Sequence, residues 1–180
     1  MTQFEITTER LRLRTWREDH REHFAKMNSD PEVMWDFGKV FDRVTSDKKF
    51  NRYAEAYIQH GYTRWVIEDR AGNFLGYTGV IKSAADHPIG EHDDIGWRLV
   101  RSAWGNSYAS EAAKAALEDV FNRIGLTEVL SYTAPDNLRS QAVMDRIGLK
   151  RCPERDYTAS FDSVGEWHGL MWVARPEITK

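Results

Sequence analysis

In the stretch "LRLR", Leu11 and Leu13 alternate with Arg12 and Arg14, the period of a strand with one buried face. Together with Arg10, the arginines of this segment read as its solvated side. The run "DHREHFAKMNSDPEV" then has the spacing of a short amphipathic helix that ends near Pro31. A second helix is expected from an N-cap at Ser46, with Phe50, Tyr53, Ala54 and Tyr57 at helical spacing and a stop at Gly61. "YTRWVIED", "AGNFLGYTGVIKS" and "DDIGWRLV" predict three strands. A hairpin turn over Asp69 to Asn73 joins the first two, and the loop "AADHPIGEH" precedes the third.

Next, Ala112, Ala116, Val120 and Ile124 recur every four residues in an alanine-rich helix that runs to Gly125. So narrow a stripe lets the helix backbone pack closely on a sheet. "TEVLSYTA" follows as a strand, "DNLRSQAVMDRIG" as a short helix closed by Gly148, and "LKRCPERDYTAS" and "GEWHGLMWVARPE" as the closing strands. Antiparallel strands come first and strands interleaved with helices come later, which describes one α+β sheet. With no repeat, low-complexity segment or linker, residues 1–180 are expected to form a single domain.

Composition narrows the range of functions. A formal net charge of -3 and a pI near 6.1 provide no general attraction to nucleic acid or to anionic membranes. The one cysteine, Cys152, excludes an internal disulfide and points to a reducing compartment. It reads as a structural residue rather than an acyl carrier. No signal segment opens the chain and no apolar run approaches the ~18 residues of a membrane span, so the cytoplasm is the expected location. His87, Glu91, His92, Asp93 and Asp94 are all metal-ligand types, but their spacing matches no recurrent site and no metal is expected. Acidic residues there could instead attract a cationic amine.

The strongest chemical signal is Trp104-Gly105-Asn106-Ser107, a turn of small residues directly before the alanine-rich helix. Small residues let backbone N–H groups approach a ligand, and a helix N-terminus favours an anion, so the turn reads as a phosphate site. It lacks the Gly-Lys-Ser/Thr of a triphosphate loop and the G-x-G-x-x-G of a dinucleotide site. The strand before it contains Gly96, which predicts a bulge or the close approach of another chain or ligand.

"DDIGWRLVRSAWGNSYASEAAKAALEDVF" followed by "APDNLRSQAVMDRIGLKR" resembles the GCN5-related N-acetyltransferases (GNAT), in particular the branch containing the ribosomal-protein alanine N-acetyltransferases. "TERLRLRTW" and "EWHGLMWVARPE" resemble that branch's first and last strands, so the likeness spans nearly the whole chain. It implies a GNAT fold: a central mixed, mostly antiparallel twisted sheet flanked by helices, with acetyl-CoA's pantetheine arm lying between splayed fourth and fifth strands. Leu99 and Val100 would offer backbone hydrogen bonds to that arm. Gly105, Asn106, Ser107, Tyr108 and Ala109 fall on the pyrophosphate loop. The common pattern has Gln or Arg where this chain has Ser102, and Gly or Ala where it has Ser107; a position needing positive φ would be strained by serine.

The resemblance also assigns the chemistry. Asp94 matches the acidic residue that opens the fourth strand and would accept the amine's proton, through water, with Asp93 as its rival. Alternation places Asp94, Gly96 and Arg98 on one face of that strand. Backbone N–H groups of a bulged strand around Ile95 to Leu99 would polarise the thioester carbonyl. Asn137 would hold the cofactor arm. Ser140 would assist the departing thiolate, because the position where many relatives carry tyrosine is Met144. Trp35 falls in the segment that walls the acceptor pocket. The expected function is direct acetyl transfer from acetyl-CoA to a primary amine, either a peptide N-terminus or a small molecule, by an enzyme whose relatives make a homodimer an expectation. The alternative is a non-catalytic acetyl-CoA-binding protein, and Met144, Ser102 and Ser107 are the features that favour it.

Overall fold

The computed structural model describes residues 4–161 and 165–176 of the chain. Glu5–Thr7 (β1) and Leu11–Arg14 (β2) form an edge hairpin, followed by helices His20–Asn28 (α1) and Arg43–His60 (α2). Strands Arg64–Asp69 (β3), Phe74–Ser83 (β4) and His92–Leu99 (β5) continue the antiparallel sheet. Helix Tyr108–Asp119 (α3), strand Val129–Thr133 (β6) and helix Leu138–Arg146 (α4) follow. The strands Lys150–Arg151 (β7), Tyr157–Phe161 (β8) and Gly165–Ala174 (β9) close the fold. The strand order is β1-β2-β3-β4-β5-β6-β9-β7, with β8 paired to β9. β5 and β6 form the one parallel neighbour pair among the described strands, and they share the single residue pair Asp94↔Leu130. These are the strands expected to splay, and beyond that pair the two edges separate.

Each sheet face carries its own core. On one face Trp65, Ile67, Val80, Ile95 and Leu99 pack against Ala112, Ala113 and Ala116 of α3 and Val120 of the π-helical turn Val120–Ile124 that continues it. Of the predicted stripe, Ala112, Ala116 and Val120 are fully buried and Ile124, within that wider turn, is half-buried. On the other face Val66, Tyr77 and Ile81 meet Trp16, Phe24, Phe50 and Tyr53 beneath α1 and α2. Here the ring centroid of Trp16 lies 4.9 Å from that of Phe24 and 5.1 Å from that of Phe50.

Two local expectations change. α2 begins earlier than Ser46: the Asp42 carboxylate accepts from the Thr45 N–H at 2.7 Å and is the cap, while Ser46 is buried and accepts from Asn28 Nδ2 at 3.2 Å. β5 has no bulge against β4, because the register from Gly76↔Leu99 to Ser83↔His92 is unbroken. Gly96 serves a close approach instead. A Cβ there would lie 3.1 Å from Arg64 Nη2 and 3.2 Å from its Cζ, so glycine makes room for a buried guanidinium.

Candidate functional site

The turn before α3 is built from backbone. Gly105 has φ +78° and Ser107 φ +61°, and Ser107 is the one non-glycine residue of positive φ among those described. A left-handed serine costs about 1 kcal/mol, so here the departure from Gly or Ala is a strained one. The Asn106 side chain holds the turn from inside, donating through Nδ2 to the Trp104 carbonyl at 3.0 Å and to that of Ala103 at 3.3 Å. No side chain caps α3, whose first internal bond runs from Glu111 N–H to Ser107 O at 3.1 Å. The amides of Tyr108, Ala109 and Ser110 therefore have no intrahelical partner. Beside them the Ser110 hydroxyl is buried without a hydrogen-bond partner. Glu111 fixes the helix end in place, accepting from Thr8 Oγ1 at 2.6 Å, Arg10 N–H at 2.9 Å and Arg10 Nε at 2.7 Å.

The open edge of β5 leads to this turn. Val100 N–H donates to Leu75 O at 2.9 Å, which sets the phase of the ladder. Peptide groups of Asp94, Gly96, Arg98 and Val100 face β4, and those of Ile95, Trp97 and Leu99 face the gap. Ser131 Oγ takes the Ile95 carbonyl at 2.9 Å and the Trp104 indole takes that of Leu99 at 3.0 Å. The Trp97 peptide and the Leu99 N–H are left toward the gap. Val100 was expected to join Leu99 there, but its N–H is engaged with Leu75 and its carbonyl accepts from Ala103 at 3.0 Å. Trp97 takes its place.

A cleft of about 660 Å³ joins these parts. Of the residues singled out in the sequence, Trp35, Leu99, Gly105, Ser107, Tyr108, Ala109, Asn137 and Ser140 line it; Asp94, Val100 and Asn106 do not. Asn137 caps α4, its Oδ1 accepting from Ser140 N–H at 3.2 Å, so the plain helix-cap reading of this residue holds. Its amide nitrogen has no partner among the described residues, which leaves a donor for a ligand as well. Met144 is buried in the core. Arg139, stacked 4.8 Å from the Trp104 ring centre, and Arg146 bring positive charge to the same wall. Neither arginine carries a sequence signal beyond being basic on a helix.

At the far end of the cleft, Trp35 is 44% exposed and stands beside Asp36. Arg98 holds Asp36 in a two-pronged pair of 2.8 and 3.0 Å and also donates to the Val33 carbonyl. This pair was missed in the sequence because its members are 62 residues apart and neither belongs to a motif.

Asp94 requires correction. Its face of β5 is as predicted, but the carboxylate is buried, ion-paired with Arg64, and accepts from Ser83 Oγ at 2.9 Å. Arg64 also donates to the Asp94 carbonyl at 2.9 Å. With both oxygens engaged, the Asp94 carboxylate ties β5 to Arg64 of β3 and Ser83 of β4 and does not line the cleft. Its rival Asp93 accepts from the Tyr62 hydroxyl. Of the other acidic and histidine side chains of this loop, Glu91 pairs with Lys82 at 3.0 Å, while His87 and His92 share the Tyr132 hydroxyl at 3.2 and 3.3 Å, with His92 3.9 Å from the Asp94 carboxylate. No group of three His, Cys, Asp or Glu side chains placed to hold a metal occurs among the described residues. Cys152 lies outside the cleft, its thiol 3.0 Å from Glu154. No helix among the described residues is long and apolar enough to cross a membrane.

Comparison with known proteins gives a consistent result. Residues 10–150 match the acetyltransferase (GNAT) domain family. The chain is 30% identical over 146 residues to the uncharacterized protein YkkB of Bacillus subtilis, spanning 80% of this chain and 84% of that protein. It is 31% identical over 154 residues to the FsC-acetyl coenzyme A-N(2)-transacetylase of Aspergillus fumigatus, spanning 80% of this chain and 64% of that protein. The fold is similar to that of a ribosomal-protein-S5-alanine acetyltransferase from Vibrio fischeri, with a TM-score of 0.76, 12% identity, and 98% of this chain and 99% of that chain covered.

Proposed function

The chain belongs to the GNAT acetyltransferase family, and from that premise we propose that it transfers the acetyl group of acetyl-CoA directly to a primary amine that is partly uncharged near neutral pH, such as a peptide N-terminus or a small α-amine. One observation carries the reading. A single cleft runs from the unpartnered amides of α3, along the gap-facing peptides of Trp97 and Leu99, to Trp35 and Asp36.

The residues present suit the co-substrate. Amides of Tyr108, Ala109 and Ser110, with the partnerless Ser110 hydroxyl, would cradle a diphosphate at the positive end of the helix, and Arg139 and Arg146 add charge. The peptides of Trp97 and Leu99 and the Asn137 amide would bind the pantetheine arm. Of the groups lining the cleft, the Trp97 N–H would polarise the thioester carbonyl and the Ser140 hydroxyl would protonate the departing sulfur. A thiol of ordinary pKa ~8.5 leaves without much help, so Ser140 contributes modestly.

The acceptor class follows from the missing base. Asp94 is tied to Arg64 and Asp36 to Arg98, so no free carboxylate awaits the amine's proton among the described cleft residues. An α-amine of pKa ~7.7–8.0 is partly neutral near pH 7, whereas a lysine-type amine of pKa ~10.4 is not. Trp35 and the acid at that end suit a cation arriving from solvent. The same lack of a base favours the second reading, a protein that binds acetyl-CoA without turning it over. Free-thiol release from acetyl-CoA, measured against peptides, amino acids, polyamines and aminoglycosides, separates the two. The proposal expects release with α-amines and a rate that climbs as pH approaches the acceptor's pKa. Binding without release across the whole panel would establish the second reading.

A further inference from the structure

Lys49 is an amine that this account leaves unused. It lies on the inner side of α2, between Ser46 and Phe50, and is half-buried, whereas the other described lysines are exposed. Its ammonium sits 4.7 Å from the Phe37 ring centre, 5.1 Å from Phe41, 5.9 Å from Tyr53 and 6.0 Å from Tyr77. No carboxylate pairs with it among the described residues, although Asp36 and Asp94 each hold an arginine nearby. Burial, and after it the charges of Arg98, Arg64 and Arg52, press its pKa below the ordinary lysine value, against the opposing pull of Tyr77. A larger share of this side chain is therefore a neutral nucleophile than of any freely solvated lysine.

Its distance from the cleft is one aromatic ring. Lys49 shares the Phe37 ring with Arg98, whose guanidinium carbon is also 4.7 Å from that ring centre and which lines the cleft. Phe37 ends a three-residue helical turn, Trp35–Phe37, whose other members also line the cleft. The turn closes at Gly38, φ +67°, and is tied to the sheet through the Arg98–Asp36 pair.

We propose that Lys49 is an internal acetyl acceptor, a self-modification site of this enzyme; the proposal rests on the reading that the cleft presents acetyl-CoA. The neutral Nζ adds to the thioester carbonyl and the C–S bond breaks. The amine's surplus proton passes to the leaving thiolate, giving Nε-acetyl-Lys49 and free CoA. The product is a neutral amide that an aromatic cage accommodates without the charge it now holds unpaired. An acetylated Lys49 occupies space beside Phe37 and Arg98, so modification lowers transfer to external amines.

The test is mass-spectrometric mapping of the full chain after incubation with acetyl-CoA. Lys49 should acquire acetyl about tenfold or more faster than exposed Lys39 and Lys114, because the proposal puts a bound thioester within its reach. The rate should not depend on protein concentration, and excess desulfo-CoA, which fills the cleft without offering a thioester, should suppress it while leaving the exposed lysines unaffected. Phe37→Ala should speed labelling, and Lys49→Arg should abolish the site. Labelling of Lys49 no faster than of Lys39, or insensitive to desulfo-CoA, would overturn the proposal while leaving the function of the cleft intact. Absence of calorimetric desulfo-CoA binding would overturn both.

Discussion

The two ends of the cleft are built by different means. The α3 end offers main chain: three free amides, a left-handed turn and a strand edge, with side chains serving mostly to hold the backbone in position. The Trp35 end offers side chains, and the charges nearest to it are locked in the pairs Arg98–Asp36 and, behind them, Arg64–Asp94. The first end is suited to a constant partner, since backbone donors cannot change with sequence. The second is where the proposed function puts acceptor specificity, because every group there can be replaced.

The sharpest break in this comparison comes at Asp94. Asp94→Asn leaves the Arg64 guanidinium buried without its countercharge, a change that costs about 3–5 kcal/mol. Urea unfolding should register that loss, while the folded fraction keeps its KM for acetyl-CoA. A large fall in kcat with unchanged stability would restore Asp94 as a base. A smaller effect is expected at Asn137, where cap and ligand donor can be separated. Asn137→Asp keeps the oxygen that accepts from Ser140 N–H but deletes the amide donor and adds negative charge. Stability should hold within ~0.5 kcal/mol while affinity for acetyl-CoA falls several-fold. Loss of stability with unchanged affinity would reduce Asn137 to a helix cap. Smallest is Ser107→Gly, which removes the left-handed strain. It should raise stability by up to about 1 kcal/mol and leave acceptor KM unchanged; a loss of stability would mean that the serine side chain is needed in the turn.

The same contrast explains what could be read from the chain. Strand and helix periods were legible in Leu11, Leu13 and the alanine stripe because one buried face repeats at a fixed interval. The turn before α3 was legible because small residues ahead of a helix have a local chemical meaning. Three things escaped. Val100 was misassigned because the direction of a peptide group depends on ladder phase, which only the Leu75 hydrogen bond fixes. Gly96 suggested a bulge, but its neighbour is the guanidinium of Arg64, brought in from another strand. Asp94 carried a motif's expected role, and nothing nearby in sequence announced the arginine that occupies it. Long-range charge pairing has no period, so the acceptor end stayed hidden.

Amide hydrogen exchange, recorded residue by residue with and without CoA, tests the central claim most directly. The account predicts slowed exchange at Trp97 and Leu99 and at Tyr108, Ala109 and Ser110, with Val100 unchanged because its N–H is already bonded within the sheet. Protection that misses both the β5 edge and the start of α3, or no protection at all, would contradict it.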